Sequence, residues 1–276
     1  QAAEKHGFES LWTSDHFLIR PDAVDVNCLE CWTTLSALAA ETKTLRLGNM
    51  VGSQSYRNPA LHANIAASLD HISGGRVYFG IGAGWKEVEY NAYNIPFPKP
   101  WIRLRQLEEA IEIAKRMWND PVAEYSGKYY SVKSVSMPKP VQKPLPILIG
   151  GMGDQLLKIT AKHADVANFA WNTPLDTYGE KLQVLEKYCK RYGRDYTSIR
   201  KSAGLHLAIK RAEAKKPAPY EKYSGTKKWE YKTPEEAADF IRGYTELGVD
   251  HFVIVFPYGA EVESIKLLMD KVAPLV

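Results

Sequence analysis

The chain of 276 residues carries 36 basic and 32 acidic side chains, for a net charge of +4, with 45% of its residues hydrophobic and 25% charged. That balance suits a globular chain with a large core, and the scattered basic residues form no stripe of the kind nucleic-acid binding needs. No stretch approaches the ~20 apolar residues of a membrane span, and Gln1–His6 lacks the apolar segment of a signal peptide, so cytoplasmic residence is expected.

Apolar runs alternate with helical patterns throughout. After a first helical turn at Gln1–His6, a strand is predicted at Glu9–Asp15, then a helix at Thr33–Thr42. A strand at Leu45–Val51 leads to a helix at Pro59–Ile72, with Pro59 suited to the first turn. Ser73-Gly74-Gly75 breaks that helix before a strand at Arg76–Ala83, and Ile102–Trp118 repeats apolar residues at helical spacing. Glu124–Pro144 is irregular and reads as a hairpin turning at Ser126-Gly127-Lys128. Strands at Leu145–Gly150, Asp165–Ala170, Lys201–Lys210 and His251–Pro257 alternate with helices at Asp154–His163, Pro174–Tyr192, Pro234–Leu247 and Glu261–Val272. The third of these helices carries a capping box, Thr233 with Glu236. Arg211–Lys232 is polar and reads as a long loop.

Strands alternating with helices imply βαβ units and a parallel sheet, here with seven strands, each followed by a helix. A (β/α)8 barrel requires eight, so a single-domain TIM barrel over 1–276 whose first strand precedes Gln1 is the expected architecture.

In a barrel, function gathers where strands end. Asp15-His16 ends the first strand, Met50-Val51-Gly52-Ser53 the second, and Gly80-Ile81-Gly82-Ala83-Gly84-Trp85 the third. Gly150-Gly151-Met152-Gly153 joins the fourth strand to a helix N-terminus, where free amides and the helix dipole favour a phosphate. Phe169-Ala170-Trp171-Asn172 ends the fifth. Small residues crowded at these ends leave main chain bare for a flat ring. His16 stands where an imidazole orients a ring or relays a proton. Cys28-x-x-Cys31 has redox or metal spacing, but no second pair completes a zinc site, and no metal is expected. Without a G-x-S-x-G nucleophile or paired carboxylates, a bound cofactor has to carry the difficult chemistry.

At these residues the chain resembles the bacterial-luciferase-like superfamily, especially its branch using the deazaflavin coenzyme F420. The match runs in order from Gly7-Phe8-Glu9-Ser10-Leu11-Trp12-x-Ser14-Asp15-His16-Phe17 and Cys31-Trp32-Thr33-Thr34-Leu35, through Tyr56-Arg57-Asn58-Pro59-Ala60 and Leu69-Asp70-x-x-Ser73-Gly74-Gly75-Arg76. It continues with Gly80-x-Gly82-Ala83-Gly84-Trp85, Pro138-Lys139-Pro140-Val141-Gln142, Pro146-Ile147-Leu148-Ile149-Gly150-Gly151 and Gly248-Val249-Asp250. The resemblance implies a luciferase-like TIM barrel with insertions, a non-prolyl cis peptide at Met50–Val51 behind the ring, and hydride transfer to or from C5 of the deazaflavin. By the same carry-over Asp15 and His16 contact the ring, Ser53 and the Ala83–Gly84 backbone meet its polar edge, and Gly151 and Gly153 hold the phosphate. His16 would transfer or orient a proton, while Trp12, Trp85, Phe169 and Trp171 wall the substrate space. A related sugar-phosphate dehydrogenase has Glu where this chain has Trp85, so that acid is absent here. The family also implies a homodimer acting on a small molecule.

The competing expectations are an FMN-dependent luciferase-like monooxygenase and a non-catalytic flavin-binding barrel. An aldolase or isomerase barrel would need a Schiff-base Lys or a Glu at a strand end, and neither is found.

Overall fold

The computed structural model describes residues 1–19, 27–135, 137–209, 230–257, 259 and 261–276. They fall into two compact units, Glu9–Asp165 and Gln1–Phe8 with Val166–Val276. Helix α1 (Ala2–Lys5) belongs to the latter.

Unit Glu9–Asp165 is built from β1 (Ser10–Thr13), α2 (Cys31–Glu41), β2 (Arg46–Asn49), β3 (Gly52–Ser53), α3 (Pro59–Ser73) and β4 (Val77–Gly82). It continues with α4 (Glu87–Ala92), α5 (Pro100–Asn119), the hairpin strands β5 (Ala123–Ser126) and β6 (Ser131–Val135), β7 (Ile147–Gly150) and α6 (Asp154–His163). The core strands are parallel: β1 pairs β2, both β2 and β3 pair β4, and β4 pairs β7. Leu11, Leu47, Val77, Phe79 and Ile147 alternate onto one face and pack with Leu35, Ala66, Leu107 and Ile111 of the helices.

The strand expected at Leu45–Val51 is interrupted between β2 and β3 at a cis Met50–Val51 peptide, the bond at which the resemblance places one. Asn49 bridges the break. Its side-chain amide donates to the Gly80 carbonyl at 2.7 Å and accepts from the Gly80 amide at 2.8 Å, standing in for a ladder peptide. Gly80 has to lack a side chain there, because a Cβ would lie 1.8 Å from the Asn49 carbonyl oxygen.

Several motif residues that carry the resemblance are structural. Arg76 donates to the carbonyls of Ala39, Thr42, Leu45 and Ser73, tying the end of α3 to the end of α2. The fully buried Asp70 accepts from the Gln142 amide and side chain, at 2.9 and 2.7 Å, and Gln142 in turn accepts from Arg46.

Local signals read from the sequence explain the helix ends. Asn58 caps α3 by accepting from the Ala60 amide, Pro59 fills the first turn, and Gly74 ends it at φ 68°. In the second unit, β8 (Val166–Ala170), α7 (Leu175–Arg191), β9 (Arg200–Ile209), β10 (Glu230–Lys232), α8 (Pro234–Thr245), β11 (His251–Val255) and α9 (Glu261–Leu267) follow in order. β9 pairs β8, β10 and β11, all in parallel, and Thr233 with Glu236 makes the expected capping box on α8. The expected loop Arg211–Lys232 ends in strand β10; its residues 211–229 lie outside the described residues. Among the described residues no helix is long and apolar enough to cross a membrane.

His62 of α3 is buried with its ring between those of Trp32 and Phe79, at 5.3 and 4.8 Å, and neither ring nitrogen has a hydrogen-bond partner among the described residues. Burial pushes its pKa down to about 3. Between that value and the ordinary ~6.5 only the unfolded chain takes the proton, so stability falls as pH drops below ~6.5, by about 2 kcal/mol at pH ~5. His62→Leu is therefore expected to flatten the acid side of the stability profile, gaining more in urea midpoint at pH 5 than at pH 7. An unchanged pH dependence would reject this account of His62.

Candidate cofactor and substrate site

Loops after β1, β3, β4 and β7 bring most of the expected site residues into one unit. Asp15 follows β1, but its side chain turns inward. It is 1% exposed and takes a bidentate ion pair from Arg57, at 2.6 and 3.0 Å, while Arg57 also reaches Glu30, the N-cap of α2, at 2.5 Å. Burial raises the Asp15 carboxyl above its ordinary value against the pull of Arg57. The ring contact expected of this carboxylate gives way to a structural ion pair, because a buried charge needs its partner more than it can serve a ligand.

His16 is partly exposed, and its Nδ1 lies 2.8 Å from Oε2 of Glu89 on α4. Glu89 is fully buried. It also accepts from the Tyr56 hydroxyl at 2.6 Å, from the Phe17 and Leu18 amides at 3.1 and 3.0 Å, and from Lys86 at 3.0 Å. Burial alone would raise its pKa; the hydrogen bonds from His16, Tyr56 and the Leu18 amide outweigh that and hold it at about 2. Sequence reading passed over both α4 and Glu89. Glu87 and Glu89 look alike there, as acids of a first helical turn, and only the fold buries one of them.

Two of the small residues at the strand ends, Gly82 and Gly150, are covered by a side chain of the same unit. Val51 sits between two glycines: a Cβ on Gly82 would come within 3.0 Å, and one on Gly150 within 2.9 Å, of its methyl groups. The glycines therefore seat a branched side chain from the same unit, and Val51 is half-buried there. The Ser53 hydroxyl is hydrogen-bonded to that of Tyr90, beside Gly84. Met50 is buried, and the Ala83 methyl packs against the hydrophobic core.

Gly150-Gly151-Met152-Gly153 leads into α6 as expected. Gly151 has φ 120°, and Gly153 is the N-cap, extended at φ −67° and ψ 144°, with no side chain capping the helix. A Cβ at Gly153 would meet nothing within 4 Å. Neither packing nor backbone conformation calls for glycine at that position.

Of the aromatic candidates, Trp85 is 71% exposed and sets its ring edge-on to His16 at 5.7 Å. Trp12 instead stacks on Tyr78 at 5.3 Å over Gly48, as packing. In the other unit, Phe169 is a core residue, 1% exposed against Tyr178, and no wall of an open space. Trp171 there is 37% exposed and stacks on His206 at 4.7 Å. Cys31 is buried against the Thr13 hydroxyl and Cys28 donates to the His16 carbonyl.

A family model described as luciferase-like monooxygenase matches residues 1–247. The chain belongs to the luciferase-like family. An uncharacterised protein of Mycobacterium tuberculosis is 31% identical over 212 residues, covering 70% of this chain and 73% of its own length. An F420-dependent glucose-6-phosphate dehydrogenase of Kineococcus radiotolerans is 25% identical over 309 residues, 99% of this chain and 90% of that protein. A solved F420-dependent secondary alcohol dehydrogenase superposes with a TM-score of 0.86 at 18% identity, covering all of this chain and 92% of that one. This luciferase-like chain thus has the α/β-barrel fold of its family, as its strand pattern led one to expect.

Proposed function

We propose that this luciferase-like chain is a coenzyme F420-dependent oxidoreductase, moving a hydride between the deazaflavin and a small organic substrate. The observation that carries this is the uncapped N-terminus of α6, whose N-cap glycine answers to no contact of its own chain. A helix start without a side-chain cap, with room beside its N-cap glycine, suits a phosphate such as a ribityl-phosphate tail. The relatives named as F420-dependent support the choice of ring.

When bound, the deazaflavin supplies the carbon that accepts or gives up the hydride. The chain's residues do the rest. Val51 offers an isopropyl surface for the flat face of the ring. The Ala83–Gly84 backbone borders its edge, and the amides that follow Gly153 hold the phosphate. His16, with Nδ1 tied to Glu89, keeps Nε2 for a substrate proton. Trp85, whose indole stays largely exposed beside His16, shields substrate from water. Cytoplasmic residence accords with three free cysteines.

Titration of the purified protein with F420 and with FMN, followed by ligand fluorescence, tests the proposal. Saturable binding of F420, with FMN bound more weakly, is the expected result. Tight FMN binding without F420 would replace it by a monooxygenase reading, and binding of neither ring by a non-catalytic one.

A further inference from the structure

Glu89 has a division of labour between its two oxygens. Oε1 accepts from the Phe17 and Leu18 amides and from Lys86, fastening the loop after β1 to α4. Oε2 accepts from the Tyr56 hydroxyl and, among the described residues, meets one other hydrogen-bonding group, Nδ1 of His16. One oxygen is a clamp on the main chain, while the other addresses the imidazole.

We infer that Glu89 is a positioning residue that fixes the tautomer of His16, placing the proton on Nδ1 and leaving Nε2 as the open nitrogen. The inference rests on the assignment of His16 to proton handling made above. The physical reason is donor and acceptor counting. An ionised carboxylate can only accept, so a neutral imidazole bonded to it through Nδ1 must carry its proton there. The hydrogen bonds converging on Glu89 hold it ionised, at about 2, and Tyr56, whose hydroxyl is pushed up by burial and by Glu89, stays a donor. Trp85 touches the ring edge-on and competes for neither nitrogen by hydrogen bonding. The outcome is a ring locked in orientation with one lone pair directed away from Glu89.

Long-range proton–nitrogen correlation on histidine-labelled protein without cofactor, at a pH where His16 is neutral, reads this tautomer directly. The His16 signals among the seven histidines are assigned by their loss in H16N. The wild type is expected to show Nδ1 protonated and Nε2 bare, with an excess of about tenfold or more, the scale of a hydrogen bond to a charged group. Glu89→Gln, which presents an amide donor as well as an acceptor, is expected to erase that excess while the Phe17 and Leu18 amide signals persist. Tyr56→Phe leaves the charge on Glu89 and should keep the wild-type tautomer. A wild type protonated on Nε2, or a folded E89Q protein with an unaltered His16 pattern, overturns the inference. If E89Q does not fold, the wild-type and Y56F spectra decide it. F420 binding measured on the same samples separates the two readings: a correct tautomer without F420 binding condemns the cofactor proposal alone.

Discussion

Arg57→Met is expected to cost about 3–5 kcal/mol of folding stability, the usual penalty for leaving one member of a buried ion pair alone. Among the described residues no other cation hydrogen-bonds the Asp15 carboxylate, which is 1% exposed. The loss carries a pH signature. With Arg57 gone, the main opposition to the burial that already lifts this carboxyl is lost, so its folded pKa rises further above the unfolded value. A raised carboxyl costs stability as pH climbs through the folded pKa, and costs nothing below the unfolded one, where both states are protonated. Urea midpoints should therefore fall further at pH 8 than at pH 4, and Asp15→Asn placed on the R57M background should recover part of the loss. A wild-type midpoint for R57M, or an equal loss at both pH values, would contradict a buried charge as the cause.

Gly153→Asp should separate stability from binding. The backbone at 153 is extended, as an N-cap requires, and a new side chain meets no atom within 4 Å. Aspartate there can accept from the first amides of α6, so the melting temperature is expected to hold or rise slightly, since an acid cap exceeds glycine by only a few tenths of a kcal/mol. The same carboxylate occupies those amides and opposes the helix dipole, an effect worth up to ~2 kcal/mol for an anion at a helix end. The Kd for F420 should rise about tenfold or more. Gly153→Ala adds bulk without charge and should change the affinity far less. Unchanged F420 binding by G153D would remove the phosphate from this helix end.

The fold was largely legible. Periodicity located every strand from β1 to β11 except the short β3 and β10, and α6 runs over Asp154–His163 as read. Asn58-Pro59 and Thr233-Glu236 announced helix starts because capping is decided by a few adjacent residues. What escaped depends on neighbours distant in sequence. The break after Asn49 does not show in the periodicity, because its side chain completes a ladder with Gly80, 31 positions away; only the resemblance pointed to the cis bond that follows. Glu89 escaped because the bond that defines it comes from His16, 73 positions away. The glycines misled for the same reason: an absent side chain says that something lies close, not whether it is a ligand or, as with Gly82 and Gly150, the methyls of Val51.

That seating has a thermodynamic corollary. With both glycines filled by its methyls, the valine cannot swing aside to admit a guest, and it needs no guest to find its pose. A planar ligand would dock onto a shelf whose shape is already settled, so little configurational freedom remains to be lost on complex formation.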